Sequence, residues 1–277
     1  FEDDGGRQSP SPGSTDSSWN NTRVTTNLPA PSQRLVVGTV NEHTPNFSGS
    51  KSNTIYDSSL DALKLTVTNN ATATSGEYIF ANSVDLTQTY DVNLRKVLEA
   101  TTFYTATLWD SRTDLIDTWG SIDTVGSANA NATKGNAAVY VRSTNDDPSG
   151  SPTWSAYKEF SNVLITGRAF QFKAILTSSD TTQNIAVTEL GATLELQGRV
   201  ESISTPVTTG SSQYTVSFTN PFKQTPTVVV TPTNQQSGDF HELANISRTG
   251  FQVTFKNGSA AVARSFVWAA SGFGKEV

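Results

Sequence analysis

The chain has no cysteine and no methionine, and only two histidines among 277 residues. Without cysteine there is no disulfide framework, no thiolate-bound zinc and no thiol catalysis. The missing methionine leaves no initiator, so a processed or ordered piece of a longer polypeptide is expected, with more sequence upstream of Phe1. No apolar run approaches the roughly 18 residues that a spanning helix needs. The opening Phe1-Glu2-Asp3-Asp4 has neither the basic nor the apolar part of a signal peptide, and a soluble chain is expected. Charge is scarce at 16% of residues, and positive charge scarcer, with 19 Lys and Arg against 25 Asp and Glu for a net of -6. With a pI near 4.9 and no basic run, the chain fits neither a phosphate-tracking nucleic-acid binder nor a protein that docks on an anionic membrane.

What fills the chain is Ser, Thr, Asn and Gly, at a mean hydropathy of -0.35, a β-rich and extracellular-looking composition. Its length suits one or two domains at roughly 100 to 200 residues each. Residues 1–34 cluster Pro, Ser, Gly and Asp (Ser9-Pro10-Ser11-Pro12-Gly13, Pro29-Ala30-Pro31) with little apolar periodicity, which predicts an extended linker. From Leu35 the pattern changes to short alternating runs: Leu35 to Val40, Leu63 to Val67, Tyr78 to Phe80, Val139 to Val141, Phe170 to Leu176 and Ala192 to Leu196. A period of two with β-branched and aromatic enrichment predicts half-buried strands. Asn69-Asn70, Ser75-Gly76, Asn145 to Gly150 and Ser178 to Asp180 read as turns between them. Leu94 to Ala100 is compatible with helix, but it runs into Thr101-Thr102-Phe103-Tyr104 and is read as strand. These strands predict a β-sandwich or jelly roll over 35–199. A second β unit, 200–277, carries alternation at Tyr214 to Phe218, Thr227 to Val230, Phe251 to Phe255 and Ser265 to Ala269. A core of about 70 residues seldom supplies more than about 3 to 5 kcal/mol without staples, and oligomerisation is the staple left.

Catalytic patterns are sparse. His43 and His241 sit in loop-like surroundings with no Gly-x-Ser-x-Gly elbow, so a Ser-His-Asp triad is not expected. Asp110, Asp114, Asp117 and Asp123, around Trp109 and Trp119, loosely suggest a calcium loop or a sugar cleft. They lack the central glycine and terminal glutamate of an EF-hand, and solvated turn acids beside core tryptophans are the plainer reading. The Asn-x-Ser/Thr sequons at Asn20, Asn46, Asn70, Asn131, Asn245 and Asn257 are expected from composition alone. No enzyme activity, cofactor or metal is expected. Binding chemistry fits better, since 9% aromatics in a polar framework supply apolar plates with hydroxyl and amide neighbours. Phe170, Phe172, Phe251 and Phe255 are assigned to the core, and Trp154, Tyr157, His241 and Phe273 are exposed candidates.

Three segments, Ala138-Val139-Tyr140-Val141-Arg142-Ser143-Thr144-Asn145-Asp146-Asp147-Pro148, Pro152-Thr153-Trp154-Ser155-Ala156-Tyr157 and Arg168-Ala169-Phe170-Gln171-Phe172-Lys173, followed by Glu189 to Leu196, occur in an order that resembles phage tail proteins. They are most similar to the C-terminal part of central tail fibre, or host-specificity, proteins of long-tailed phages. The last unit resembles the H-type lectin fold through Val216-Ser217-Phe218, Phe222, Pro226 to Val230, Ile246 to Val253 and Trp268 to Gly272. Together these resemblances imply an all-β chain, with a jelly-roll-like sandwich followed by a small lectin-like sandwich at the tip of a virion tail or fibre. They further imply a homotrimer that contacts other phage tail proteins and a host-cell glycan or outer-membrane receptor, with no nucleic acid. Where the lectin family places a sugar-binding arginine and an aromatic, this chain offers Glu242 and Lys256-Asn257-Gly258. The expected receptor-binding residues are therefore His241, Glu242, Lys256, Asn257, Phe273, Trp154 and Tyr157. The alternatives are a purely structural tail component, a depolymerase using Asp110, Asp114 and Asp117, and a secreted lectin using the sequons.

Overall fold

Strands form where apolar and polar residues alternate, because that pattern gives a pleat one face for a core and one for water. The computed structural model describes residues 33–105 and 132–277, and among them there is no helix. The fold is all-β, as the alternation predicts. The acidic cluster at Asp110, Asp114, Asp117 and Asp123, its neighbours Trp109 and Trp119, nearly all of the expected linker, and the sequons at Asn20 and Asn131 lie outside the described residues.

In chain order the strands are β1 (Arg34–Asn41), β2 (Ser50–Ser52), β3 (Thr54–Asp57), β4 (Ala62–Leu65), β5 (Val67–Thr68), β6 (Ala71–Thr72), β7 (Ser75–Ile79), β8 (Val84–Tyr104), β9 (Gly135–Thr144), β10 (Lys158–Glu159), β11 (Asn162–Ser178), β12 (Gln183–Thr208), β13 (Tyr214–Ser217), β14 (Thr227–Pro232), β15 (Asp239–Ala244), β16 (Gly250–Asn257), β17 (Ala260–Ala261) and β18 (Ser265–Phe273). A 12-stranded sheet runs β10-β9-β11-β8-β12-β18-β14, with β1, β2, β3, β4 and β7 attached off that path. A 4-stranded sheet holds β13, β16, β15 and β17, and β5 with β6 forms a 2-stranded ribbon. All the strands of the described residues fall in the unit Arg34–Val277.

The first core is sandwich-like and gathers side chains from β1, β4, β7, β8, β9, β11 and β12. On β11 Phe170, Phe172, Ala174 and Leu176, two residues apart, are each at most 1% exposed. On β12 the phase changes: Ile185 and Val187 are buried, then Leu190, Ala192, Leu194 and Leu196. The change from odd to even positions coincides with a register shift against β8 between Val187 and Glu189. A bulge adds one residue there and returns the apolar set to the same core. Leu94 to Ala100 is strand within β8, paired with β12 along its length. Ser75-Gly76, expected as a turn, opens β7 opposite Thr177 and Leu176. Its glycine serves close packing, since a Cβ on Gly76 would stand 2.6 Å from the Asn53 carbonyl oxygen.

Two buried polar groups tie this core together. Asn184 stands in for a peptide group, accepting from the Leu65 amide at 3.1 Å and donating to the Leu65 carbonyl at 2.9 Å. Glu42, 2% exposed, accepts from the Tyr78 hydroxyl at 2.6 Å and the Ala81 amide at 2.8 Å. Burial first, and then that carboxylate, pushes the Tyr78 phenol well above its ordinary range.

The second core lies between the β12-β18-β14 strands and the β13-β16-β15 strands, around Phe222, Phe251, Phe255, Phe266 and Trp268. The expected boundary between residues 199 and 200 falls inside β12, a single strand of 26 residues that pairs with β1 through Gln197 and with β18 from Gly198. A polar cluster reinforces this continuity. Arg248 donates to the Phe222 carbonyl at 2.7 Å and to the Tyr90 hydroxyl at 3.1 Å, and pairs with Glu276. Lys223 lies 4.9 Å from the Tyr90 ring centroid and donates to the Leu86 carbonyl at 2.8 Å. Because one strand serves both cores, Arg34–Val277 is expected to unfold as a single calorimetric transition. Phe266→Ala, a truncation that typically costs about 3 to 5 kcal/mol, should lower that whole transition. A second peak splitting away from an unmoved first one would refute the coupling.

Candidate functional site

In β9, Val139 and Val141 turn into the core, so Tyr140 and Arg142 face outward. In β11, Phe170 and Phe172 do the same and leave Gln171 and Lys173 outward. Register places Arg142 opposite Gln171 and Tyr140 opposite Lys173. The loop after β9 is drawn back along the sheet by reciprocal bonds between Ser143 and Ser155, and by the Thr153 amide donating to Asp146 at 2.7 Å. This return sets half-buried Trp154 and Tyr157 beside Arg142, whose guanidinium lies 5.1 and 4.8 Å from their ring centroids. Two bonds of 2.9 and 2.6 Å to the Gln171 side-chain oxygen fix the guanidinium in place. Lys173, paired with Glu77, lies 4.8 Å from the Tyr157 ring and 5.9 Å from that of Tyr140. The result is an outward stack in which cations and aromatic rings alternate. A cavity of about 350 Å³ adjoins it, lined in part by Arg142, Ser155, Ala156, Phe160 and Leu164.

At the edge of this surface Arg168 bridges Asp85 at 2.9 Å and Asp147 at 3.1 Å. Its hydrogen bonds hold the Asp85 carboxyl below the usual range, while the Ser149 side chain does most to lower that of Asp147. The stack contains no imidazole, and what it presents is fixed cations against aromatic faces. Among the described residues no group of three or more His, Cys, Asp and Glu side chains could hold a metal ion.

The seven residues expected at a binding face fall in three places. Trp154 and Tyr157 meet in the Arg142 stack. His241, Glu242, Lys256 and Asn257 share β15 and β16 but are split between the two faces: His241, in phase with Leu243, packs 5.5 Å from the Phe255 ring, and Asn257 on that side donates to Ser237 and Asp239, each at 2.9 Å, while Glu242 pairs with Lys256 at 2.7 Å on the other. Phe273 ends β18 opposite Gly198, half-buried, with its carbonyl accepting from the Lys223 amide at 2.8 Å. The other histidine, His43, lies 3.1 Å from Asp61, which also accepts from the Tyr56 hydroxyl at 2.7 Å.

The sequence reading missed Arg142, although its outward phase on Val139-Tyr140-Val141-Arg142 was a usable signal. It also missed Asp239, a carboxylate with no exposed side-chain surface that accepts from Arg264, from Asn257 at 2.9 Å and from the Gln236 amide at 2.7 Å. No local pattern marks that convergence.

Compared with known proteins, the chain matches no family model, no curated protein and no solved structure.

The Arg264 hydrogen bond, and then that of Asn257, holds the Asp239 carboxyl far below the usual carboxylate range. A carboxyl whose folded pKa is depressed stabilises the fold above its unfolded pKa of about 3.9 and loses that contribution as pH falls. Asp239→Asn should therefore lower the Tm at neutral pH, and the gap from the unsubstituted chain should narrow as the pH falls below about 4. A gap of the same size at both ends of that range would show that the charge of Asp239 is not what matters.

Proposed function

We propose that this chain is the receptor-binding part of a phage tail fibre, a homotrimer that adheres to a host-cell surface glycan or outer-membrane receptor without catalysing a reaction. The observation that carries the reading is the convergence of the three segments that resemble tail fibre proteins. Arg142 comes from the first, Trp154 and Tyr157 from the second, and Gln171 and Lys173 from the third, and all five meet in one outward stack. Aromatic plates beside fixed cations and amides suit a sugar ring or a polar protein surface.

The homotrimer is supported by the outward face of the β12-β18-β14 strands. Ile203, Val207, Phe266, Trp268, Ala270, Val228 and Val230 turn toward the second core. The opposite face presents Val200 and Ser202 from β12, Ala269 and Ser271 from β18, and Thr227 and Val229 from β14, matched in register. That face carries no charge, and Val200 and Val229 are 65% and 58% exposed. An uncharged sheet face of this kind is an aggregation liability unless another surface covers it, and a second copy of the chain is the cover proposed. Phe273 lies at its end, opposite Gly198.

One observation favours the purely structural alternative. Glu242, Lys256 and Asn257 spend their polar groups on internal partners, which suits scaffolding better than contact with a receptor.

Light scattering of the full chain is expected to give three times the 29.7 kDa chain mass. Val200→Glu combined with Val229→Glu should reduce it to monomer with an unchanged far-ultraviolet dichroism spectrum. Fluorescently labelled chain should bind saturably to some members of a panel of bacterial isolates, and Arg142→Ala or Trp154→Ala should abolish that binding without altering the trimer. A trimer that binds no isolate, or binding indifferent to both substitutions, would favour the structural reading. A monomeric full chain would remove the trimer from the proposal.

A further inference from the structure

A second cavity, of about 410 Å³, opens on the outward side of β1, β12, β8 and β11, lined by Arg34, Asn93, Arg95, Asn162, Leu164 and Glu195, with Leu94 and Val163 completing the wall. Ligand pockets commonly span about 300 to 1,000 Å³, so the space suits one small molecule. The pleat explains its lining. Val92 and Leu94 of β8 enter the first core, which sends Asn93 and Arg95 outward. Register then sets Asn93 between Leu164 and Glu195, and Arg95 between Asn162 and Thr193.

Three features mark it as built for a ligand. The Asn93 side-chain nitrogen Nδ2 is buried and has no hydrogen-bond partner. A donor in that state destabilises a fold until a ligand or water supplies an acceptor, and turning the amide over would leave a buried acceptor in the same need. Arg95 is exposed and, among the described residues, has neither ion pair nor hydrogen bond. Glu195, 9% exposed, engages Arg34 through Oε2 at 3.1 Å and leaves Oε1 to accept from a donor. Two guanidinium groups against one carboxylate leave one positive charge unbalanced, on a chain whose net charge is -6.

We propose that this cavity binds a sugar acid, a pyranose ring that carries a carboxylate. The carboxylate answers the unbalanced charge at Arg95 and Arg34. Ring hydroxyls both donate and accept, as Glu195 Oε1, Asn93 and Asn162 require. The apolar C–H face of the ring packs on Leu164, which shares the outward face with Asn93. A phosphate dianion fits less well, because it offers few donors and meets the Glu195 carboxylate. A free amino acid would need a second carboxylate for its ammonium group, and Glu195 is already paired. The site shares Val163 and Leu164 with the cavity beside the Arg142 stack but includes none of the stack's own residues, and it does not depend on the adhesion reading.

The test is titration calorimetry and saturation-transfer NMR on the full chain with sodium glucuronate, glucose and sodium acetate as probes. Glucuronate should bind saturably in the millimolar range, with glucose and acetate each at least about tenfold weaker. Arg95→Ala, at an exposed position, should weaken glucuronate at least about tenfold, and Arg95→Lys should restore part of the loss. Asn93→Ala should weaken glucuronate and glucose together, while Arg142→Ala should change neither. Should Asn93→Ala fail to fold, Arg95→Ala carries the test alone. Acetate binding as tightly as glucuronate would reduce the site to a plain anion contact and overturn the proposal. Glucuronate affinity unmoved by Arg95→Ala, or no glucuronate binding at all, would overturn it as well.

Discussion

The sharing of β12 between two cores is the constraint on which the architecture depends. Its residues Leu190, Ala192, Leu194 and Leu196 enter the first core, and Ile203 and Val207 pack on the second. Past the bulge at Val187 to Glu189, even positions serve one core and odd positions the other, with no register shift against β18 from Gly198 to Ile203. On a regular strand this means that the two cores lie against opposite faces of the same backbone. The strand runs unbroken across the expected boundary, passing from its pairing with β1 at Gln197 to its pairing with β18 at Gly198.

Most of the fold was legible because its signal is local. Alternation in Phe170 to Leu176 and Phe251 to Phe255 named buried faces that the structure bears out, each of the four phenylalanines being at most 1% exposed. The β-favouring run after Ala100 outweighed the helix-compatible Leu94 to Ala100, because the edge of β12 was available to pair with it. What escaped were features set by partners far along the chain. The bulge at Val187 to Glu189 shows only in the switch of buried positions from odd to even. Gly76 looked like a turn former, and its need for space arises from the Asn53 carbonyl in the bend between β2 and β3.

The candidate site divides in the same way. Trp154 and Tyr157 stood out as aromatics in a polar loop. Arg142, which joins them, looked like an ordinary outward residue until the loop folded back over it. Arg34 and Glu195 are separated by 161 positions, and only the β1–β12 register brings them together. Most described arginines act as clamps, Arg168 on two aspartates, Arg199 on Glu201, Arg248 on Glu276 and Arg264 on Asp239. In an acidic chain with few cations, such consistent pairing makes the unpaired Arg95 stand apart.

Gln197 lies where β1 begins and β18 has just ended. It faces Arg34 across the β1 pairing, and its carbonyl accepts the Gly274 amide at 3.0 Å. The first strand of this two-core unit thus begins, and its last strand ends, beside the same residue. Adjacent entry and exit points are what allow a domain to be spliced into the loop of another protein or to be circularly permuted. The unit has the geometry of a removable cassette: a host chain could detour through it and resume its path nearly where it left off.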